Sequence, residues 1–393
     1  MNTSVTDRNF ALMSTRRSAN ELEVAVREVE MPHVVDQDDI VVKMLAAPIN
    51  PSDIGLMLGP ADPDTARRAD TDAQDVVLAR TVLRVPGAPD VDPATLGVAR
   101  PVGLEGTGEV VAAGTDPDAQ ALLGRTVSLM GAGTYARFVR VRARDSVPLN
   151  EGTAPAQRAA AFINPLTALG MVETMRQEGF TALVQTAAAS NLGQMLQRLC
   201  LNEGIALVNI VRRPEQVELL RSLGAEQVLD VSSPDFFEEL VDALHATGAT
   251  LAFDAVGGGP LAGRMLLAME QASVRRGANY PHGPRYGTSV VKKVYLYGGL
   301  DASPVAVDRR FGMAWSIGGW LVFDLLERVG PERAAELKRR AVDEITTTFA
   351  SGYARTVSMR DILDPDILRA VSRRATGEKY LLDLEASPGH NTP

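Results

Sequence analysis

From about residue 155 onwards, the chain alternates short apolar strands with amphipathic helices in a regular order. Adjacent parallel strands need a crossover between them, and a helix usually supplies it. The alternation therefore predicts a doubly wound parallel sheet with helices on its faces. The predicted strands are 182–186, 206–211, 227–231, 251–256 and 294–297, and the predicted helices are 192–202, 214–223, 234–245 and 260–271.

The segments on either side of this region contain short strands and turns instead. An apolar strand is predicted at 40–47, and the tail returns to short strands such as 380–384. Because the tail resembles the first segment, we expect the two ends to form one discontinuous domain, residues 1–155 and 346–393. Residues 156–345 then form the second domain, which contains the parallel sheet.

Two stretches interrupt these patterns. Residues 60–99 are rich in Pro, Asp and Ala and have few large apolar residues outside 76–85, which indicates a surface insertion or a lid. Residues 273–291 contain arginines, tyrosines and a histidine between a predicted helix and the last strand of the sheet. We expect a flexible surface loop there, and the alternative is a contact with substrate or with a partner.

Charge and apolar content exclude several classes of protein. A net charge of −9 argues against a nucleic-acid partner, because phosphate backbones attract cationic faces. The longest apolar stretch, near 315–323, is well short of the roughly 20 residues of a membrane span, and the first residues show no apolar signal segment. The single cysteine, Cys200, lies in an apolar run and is expected to be buried. A cytoplasmic location is the simplest expectation.

A run of small residues follows the first strand of the predicted sheet. The strand 182–186 leads into Ala-Ala-Ala-Ser-Asn-Leu-Gly, residues 187–193, and then into a helix. Small side chains let a backbone approach a pyrophosphate, and the helix N-terminus supplies N–H donors and a positive dipole end. The run differs from the usual G-x-G-x-x-G, and ordinary tight strand–helix turns also use small residues. Its position at the first βα crossover favours a dinucleotide site.

Two arginines end the next strand, at the position where NAD-binding folds usually carry an acidic residue for the ribose 2′-hydroxyl. These residues are Arg212 and Arg213. A carboxylate would repel a 2′-phosphate, whereas a guanidinium pairs with it in bidentate fashion. The pair therefore favours NADPH over NADH, and the alternative is a solvated arginine pair at a strand end.

Seven short motifs stand out along the chain. They are Asn50-Pro51-Ser52-Asp53, Gly103-x-Glu105-Gly106-x-Gly108, Gly133-Thr134-Tyr135-Ala136, Asn164-Pro165-Leu166-Thr167-Ala168, Asp254-Ala255-Val256-Gly257-Gly258, Tyr297-Gly298-Gly299-Leu300 and Gly319-Trp320-Leu321. In their kind and order they resemble the medium-chain dehydrogenase/reductase superfamily over nearly the whole chain. Three of them, at 164–168, 297–300 and 319–321, are similar to the zinc-free branch of quinone oxidoreductases and 2-enoyl thioester reductases.

The resemblance implies a fold and a set of cofactor contacts. The implied fold is α/β, with a GroES-like, partly open β-barrel catalytic domain and a Rossmann doubly wound cofactor-binding domain, and family members commonly pair as homodimers through the latter. An ordinary helix core is the alternative for Trp320 and Leu321. By the resemblance, Asn164 and Thr167 lie near the nicotinamide, Ser190, Asn191, Leu192 and Gly193 hold the pyrophosphate, Arg212 and Arg213 bind the 2′-phosphate, Tyr297, Gly298, Gly299, Leu300, Trp320 and Leu321 line the cofactor cleft, and Lys379 reaches it from the tail.

The residues that hold zinc in the alcohol dehydrogenases of this superfamily are missing here. Leu104 occupies the position of a zinc-ligand His, the loop 50–53 has no Cys, and the chain has one cysteine where a structural site needs four. The four histidines are scattered without ligand spacing. Zinc takes four N, S or O ligands in a tetrahedral array, so no metal site is expected.

Without a metal to stabilise an alkoxide, hydride transfer to an activated C=C bond or to a quinone is the easier reaction. The charge then spreads onto a conjugated oxygen, and the candidate donors to it are the Asn50 amide, the Tyr135 hydroxyl and backbone N–H groups. Tyr135 is alternatively a packing aromatic of the barrel, and Asp53 is expected to fix the loop rather than to transfer protons. Thioester reductases carry a catalytic tyrosine shortly after this loop, where the present chain has Ala61.

Three functional hypotheses follow. The leading one is a zinc-independent, NADPH-dependent oxidoreductase that delivers hydride to the activated C=C bond of a small α,β-unsaturated carbonyl compound or an enoyl thioester. The first alternative is an NADPH:quinone oxidoreductase. The second alternative, kept open by Ala61, is an NADPH-binding protein with little turnover.

Overall fold

A computed structural model describes residues 8–70, 77–87, 91–149, 154–373, 377 and 379–385. The chain divides into two compact units. The first unit comprises Met1–Ile163 and Lys338–Pro393, and the second comprises Asn164–Leu337. We expected the divisions at 155/156 and 345/346. No helix among the described residues combines the length and the apolar character needed to cross a membrane.

The elements are numbered along the described chain. The strands are β1 Asn9–Ser18, β2 Glu21–Val29, β3 Asp39–Pro48, β4 Asp62–Ala69, β5 Val77–Arg84, β6 Ala99–Pro101, β7 Glu105–Ala113, β8 Thr126–Met130, β9 Phe138–Arg142, β10 Ser146–Pro148, β11 Ala182–Gln185, β12 Ala206–Val211, β13 Gln227–Asp230, β14 Leu251–Asp254, β15 Lys292–Leu296, β16 Trp315–Gly319, β17 Arg355–Ser358 and β18 Tyr380–Asp383. The α-helices are α1 Pro51–Leu58, α2 Pro117–Gln120, α3 Pro155–Arg158, α4 Ile163–Gln177, α5 Asn191–Glu203, α6 Pro214–Ser222, α7 Phe236–Thr247, α8 Leu261–Arg275, α9 Val322–Asp343 and α10 Pro365–Ser372.

The first unit contains two sheets. One sheet has the strand order β4-β5-β2-β1-β6, and the other has the order β10-β8-β7-β3-β18-β17, with β9 also paired to β3. Strand β18 runs antiparallel to β3, with Leu382 opposite Ala47. The tail therefore completes a sheet that begins near the N-terminus, which explains why this unit is discontinuous in sequence.

The stretch 60–99 is not a surface lid where the structure describes it. It supplies β4 and β5, and β5 pairs with β2 along most of its length. Val82 and Leu83 are buried. Only one residue of the edge strand β4 is buried, as a surface insertion predicts, and the buried residues of β5 lie in the apolar run 76–85. Residues 71–76 and 88–90 of this stretch lie outside the described residues.

The second unit has a six-stranded sheet with the order β13-β12-β11-β14-β15-β16, and every neighbouring pair in it is parallel. Helices α5, α6, α7 and α8 connect successive strands, as the sequence alternation predicts. Strand β16 was not predicted, since its Trp-Ser-Ile-Gly-Gly sequence contains two glycines. Cys200 on α5 is 1% exposed, and burial raises the pKa of its thiol, so the prediction that it is buried is confirmed.

A buried ion pair anchors the end of the stretch 273–291. Lys292 Nζ lies 2.6 Å from Glu270 Oε2, and both side chains are buried. The same carboxylate accepts hydrogen bonds from the Thr288 backbone N–H at 2.7 Å and from its hydroxyl at 2.8 Å. The expectation of a flexible loop was therefore wrong for the end of this stretch, because a buried carboxylate holds it to α8.

Removing one partner of this pair leaves the other charge buried without compensation. We expect Lys292→Met to lower the free energy of unfolding by about 3–5 kcal/mol, as measured by urea denaturation. Lys293→Met is the matched control, because its partner Glu178 and its own amine are both partly exposed. That change is expected to cost about 1 kcal/mol or less. Equal losses in the two variants would contradict the anchoring role.

Candidate functional site

The turn between β11 and α5 has an unusual backbone and a side-chain cap. Ala187 has a φ of 49°, in the left-handed region that residues with a Cβ atom seldom adopt. Ser190 caps the helix, because its hydroxyl accepts a hydrogen bond of 3.1 Å from the Gly193 backbone N–H. Asn191 and Leu192 are the first residues of α5. The four residues expected at the pyrophosphate thus form the start of one helix.

Gly193 lies where α5 passes very close to the preceding chain. A Cβ atom at this position would lie 2.2 Å from the Ala188 carbonyl oxygen, which no side chain tolerates. Only glycine lets the first turn of α5 pack this closely behind β11. In dinucleotide-binding folds the same close packing sets the helix N-terminus against the pyrophosphate.

A buried amide network holds β12 in register beside β11 and α5. Gln185 Nε2 donates to Asn209 Oδ1 at 2.7 Å, and Asn209 Nδ2 donates to Gln197 Oε1 at 2.9 Å. All three side chains are buried. Because buried amides cost free energy unless they are paired, the network favours a single alignment of β12 and hence a single position for the arginines that follow it.

Arg212 and Arg213 follow β12 directly, and both are exposed. Arg213 Nη1 lies 3.8 Å from Glu215 Oε1, but both side chains are more than half exposed, so this ion pair contributes little. The Arg212 side chain has no hydrogen-bond or ion-pair partner among the described residues. Both guanidinium groups are therefore available to an anionic ligand.

Most of the residues expected to line the cofactor cleft surround one cavity in the second unit. Its volume is about 630 Å³, and it lies at the carboxyl ends of β15 and β16. Ligands of open α/β sheets bind beyond the carboxyl ends of the strands. Leu300 is half-exposed and does not line this cavity. The expected residues that line it are Tyr297, Gly298, Gly299, Trp320 and Leu321.

Trp320 is held rigidly between β16 and α9. Its indole Nε1 donates to Thr174 Oγ1 at 3.0 Å, and its ring meets the Phe253 ring edge-on at 5.4 Å. The indole thus packs against α4 and β14, and the same residue also lines the cavity. Asn164 and Thr167 lie in the first turns of α4, and both are buried.

In the first unit, a second group of predicted residues gathers around a buried carboxylate. Glu105, at the start of β7, accepts a hydrogen bond of 2.7 Å from Asn50 Nδ2 through one oxygen. Its other oxygen accepts from the Phe162 and Ile163 backbone N–H groups at 2.8 and 3.0 Å. The Asn50 amide is thus committed to Glu105, which is itself fully buried.

Asp53 and Tyr135 lie beside this carboxylate and are completely buried. The Asn50 backbone N–H donates to Asp53 Oδ2 at 2.9 Å, which fixes the loop before α1. The Tyr135 hydroxyl donates its single proton to the Pro48 carbonyl oxygen at 2.7 Å. The same hydroxyl also contacts the Asp53 carboxylate, and this contact opposes the rise in the pKa of Asp53.

Lys379 brings a cation to the same cluster. Its Nζ atom is buried and has no hydrogen-bond partner among the described residues. It lies 5.6 Å from the centre of the Tyr353 ring, in a cation–π contact. Oδ1 of Asp53 is also buried without a partner in the described chain. Two oppositely charged groups with unmet hydrogen-bonding capacity therefore share one buried region.

Burial moves two pKa values in this cluster towards neutrality. It raises the pKa of Asp53 to about 7, with the Glu105 charge adding to the rise. It lowers the pKa of Lys379 to about 8, although the Glu105 and Asp53 carboxylates oppose the change. Burial also raises the pKa of Glu105. Groups that titrate near neutral pH are suited to taking up and releasing protons.

Sequence reasoning missed two members of this cluster, Glu105 and Tyr353. Glu105 was visible only as part of the Gly-x-Glu-Gly motif, and an acidic residue between glycines on an apolar strand was the available signal. Tyr353 gave none, since it reaches the cluster through tertiary contacts from the tail. Among the described residues, no group of three or more His, Cys, Asp or Glu side chains could hold a metal ion.

The raised pKa of Asp53 predicts a dependence of stability on pH. The folded state keeps a proton on Asp53 that the unfolded state loses above the ordinary pKa of 3.8, so the contribution of this group to stability is lost as pH rises from about 4 to about 7. Asp53→Asn keeps an acceptor for the Asn50 N–H and removes this titration. Between about pH 5 and pH 8, the free energy of unfolding of the variant is expected to rise relative to the unsubstituted protein. Parallel pH profiles from urea denaturation would contradict the assignment.

Comparison with known proteins gives relatives by sequence but no matching family model. The mitochondrial enoyl-[acyl-carrier-protein] reductase of Arabidopsis thaliana is 31% identical over 214 residues, which cover 52% of this chain and 48% of the relative. The acrylyl-CoA reductase of Ruegeria pomeroyi is 30% identical over 149 residues, which cover 36% of this chain and 44% of the relative. The chain thus spans about half the length of the curated relatives it matches.

Solved structures share the fold along almost the entire chain. A protein assigned as an NADPH:quinone reductase from Mesorhizobium loti has a TM-score of 0.69 and 24% identity, covering 97% of this chain and 100% of its own. A mutant enoyl thioester reductase from Candida tropicalis has a TM-score of 0.64 and 19% identity, covering 96% and 100%. At these identities the likeness concerns the fold.

The predicted α/β fold class, with a GroES-like domain and a Rossmann domain, is confirmed by these structures. The sequence relatives are named as enoyl-[acyl-carrier-protein] and acrylyl-CoA reductases, in agreement with the thioester reductase branch that the motifs indicate. The predicted resemblance is therefore confirmed: the chain is similar in sequence and fold to the quinone oxidoreductase and enoyl thioester reductase branch of the medium-chain dehydrogenase/reductase superfamily.

Proposed function

We propose that the protein is an NADPH-dependent reductase that delivers hydride to the activated C=C bond of a small α,β-unsaturated carbonyl compound or an enoyl thioester. The observation that carries the cofactor assignment is the pair of exposed arginines that follows β12. Two sequence relatives, an enoyl-[acyl-carrier-protein] reductase and an acrylyl-CoA reductase, support the reaction class.

The second unit has features that fit such a cofactor. The packing that Gly193 permits sets the N-terminus of α5 close behind β11, where Ser190 to Gly193 would hold a pyrophosphate. Arg212 and Arg213 would bind the 2′-phosphate, and the cavity beside Trp320 would hold part of the dinucleotide. When bound, NADPH supplies the hydride.

The residues of the first unit would manage the proton that the reduced product requires. Hydride addition to an activated C=C bond leaves an enolate, which must gain one proton. Asp53 and Lys379, with pKa values of about 7 and about 8, can each hold a proton near neutral pH, at Oδ1 and at Nζ. We assign these two groups the role of holding the proton that the enolate gains. Asn50 and Glu105 fix the loop that carries Asp53.

The two alternatives remain distinct proposals. Quinone reduction is favoured by the similarity to the Mesorhizobium loti protein, which is assigned as an NADPH:quinone reductase. Cofactor binding with little turnover is favoured by Ala61, which is buried and brings no hydroxyl to the position of the family's tyrosine. NADPH oxidation measured against enones, 2-enoyl-CoAs, quinones and aldehydes separates them. Turnover of enones or enoyl thioesters supports the proposal, turnover of quinones alone supports the first alternative, and tight binding without turnover supports the second.

Reversing the charge of the arginine pair tests the cofactor assignment. Arg212→Asp combined with Arg213→Asp is expected to raise the KM for NADPH by at least about tenfold while changing the KM for NADH little, because only NADPH carries the 2′-phosphate. Arg221→Asp, an exposed arginine of α6, is the control for a reversed charge elsewhere on this unit, and it is expected to change neither KM. An equal rise for both cofactors would rule out 2′-phosphate recognition.

We also propose that the protein is a homodimer, as the resemblance implies, and that it is cytoplasmic, as the single cysteine and the lack of an apolar signal segment favour. One neighbouring structure is a heterodimer of 2-enoyl thioester reductases from Candida tropicalis, which supports pairing. Several relatives are named as mitochondrial, so location needs its own test. Sedimentation that gives the mass of a single chain would contradict the dimer, and recovery in an organelle fraction would contradict the cytoplasmic location.

A further inference from the structure

On one face of a sheet in the first unit, three arginines surround the carboxylate of Glu23. On β2, Leu22, Val24 and Val26 are buried in the apolar core. Side chains alternate along a strand, so Glu23 and Arg27 point to the opposite face of the sheet. Pairing between strands adds arginines from β1 and β5 to that face. None of these residues belongs to the dinucleotide motifs or to the cluster around Glu105.

The charges on this face do not balance. Glu23 is 3% exposed and accepts hydrogen bonds from Arg17 and Arg27, while Arg80 Nη1 lies 3.7 Å from its second oxygen. These contacts, with the burial they overcome, hold the pKa of Glu23 below its usual value. Three guanidinium groups around one carboxylate leave a local charge of about +2 on a chain whose net charge is −9.

Several hydrogen-bond donors on the same face are unused. The Nε atoms of Arg27 and Arg80 are buried and have no partner among the described residues, and the same holds for the Thr15 hydroxyl. Thr15 is 1% exposed and stands directly opposite Glu23 in the β1–β2 pairing. Buried polar groups normally have partners, so three unmet donors beside a surplus of positive charge favour an anionic acceptor.

We propose that Arg17, Arg27, Arg80 and Thr15 form a binding site for a phosphoryl group, with Glu23 as the internal counter-ion that holds the arginines in place. A phosphoryl dianion offers three acceptor oxygens and matches the surplus charge, and guanidinium forks suit its geometry. The arginine side chains are between 21% and 35% exposed, so an incoming phosphoryl group can reach them. The phosphoryl group is either free inorganic phosphate or part of a larger phosphomonoester.

Isothermal titration with inorganic phosphate at constant ionic strength tests the site. The titrations use protein that already carries Arg212→Asp and Arg213→Asp, which removes the arginine pair of the dinucleotide site. The measured phosphate affinity is therefore independent of the proposed cofactor site. In that background, Arg80→Gln is expected to weaken phosphate binding by at least tenfold. Arg84→Gln, an exposed arginine at the end of β5 with no contact to Glu23, is expected to leave binding unchanged. Equal affinity in the two variants would overturn the proposal.

Glu23→Gln provides a second, independent readout. Loss of the counter-ion leaves the three arginines without a carboxylate, so added phosphate is expected to raise the thermal unfolding midpoint of this variant more than that of its parent. The same increment in both proteins would count against the site, as would acetate binding as tightly as phosphate. Methyl phosphate that binds as well as phosphate supports a phosphomonoester ligand, and exclusive binding of phosphate supports the free ion.

Discussion

The first unit depends on a single buried carboxylate, that of Glu105. An ionised carboxylate away from water is costly unless donors surround it, and here the donors come from two distant parts of the chain. Asn50 belongs to the loop before α1, and Phe162 and Ile163 belong to the segment that ends the first part of this unit. One charge thereby fixes the loop that carries Asp53, and it creates the field in which Asp53 and Lys379 titrate.

The fold was predictable where the sequence pattern is local. Each strand and helix of the parallel sheet up to β15 has its own pattern of apolar residues. Helical crossovers between the strands then predict that the strands lie parallel in one sheet. Strands β4 and β5 and the edge strand β16 were not predictable in this way, because their stability comes from pairing with a neighbour rather than from their own pattern. From its sequence context Lys292 is expected at the surface, and its buried ion pair with Glu270 follows only from the tertiary structure.

The residues of the candidate site were likewise predictable where the signal is local in sequence and unpredictable where tertiary structure brings them together. Ser190, Gly193, Arg212 and Arg213 could be identified because turn, cap and strand end lie close together in sequence. The cluster of Asp53, Glu105 and Lys379 assembles residues from opposite ends of the chain, so its altered pKa values follow only from shared burial. The buried amides that align β12 gave a weak signal, as polar residues in otherwise apolar elements.

We propose that the second unit recognises a dinucleotide by its 2′-phosphate. Isothermal titration of the unsubstituted protein with NADPH and with NADH, at one salt concentration, tests it most directly. NADPH is expected to bind at least about tenfold more tightly than NADH, a difference of about 1.4 kcal/mol or more from the contacts of Arg212 and Arg213. Equal dissociation constants, or tighter binding of NADH, would contradict it.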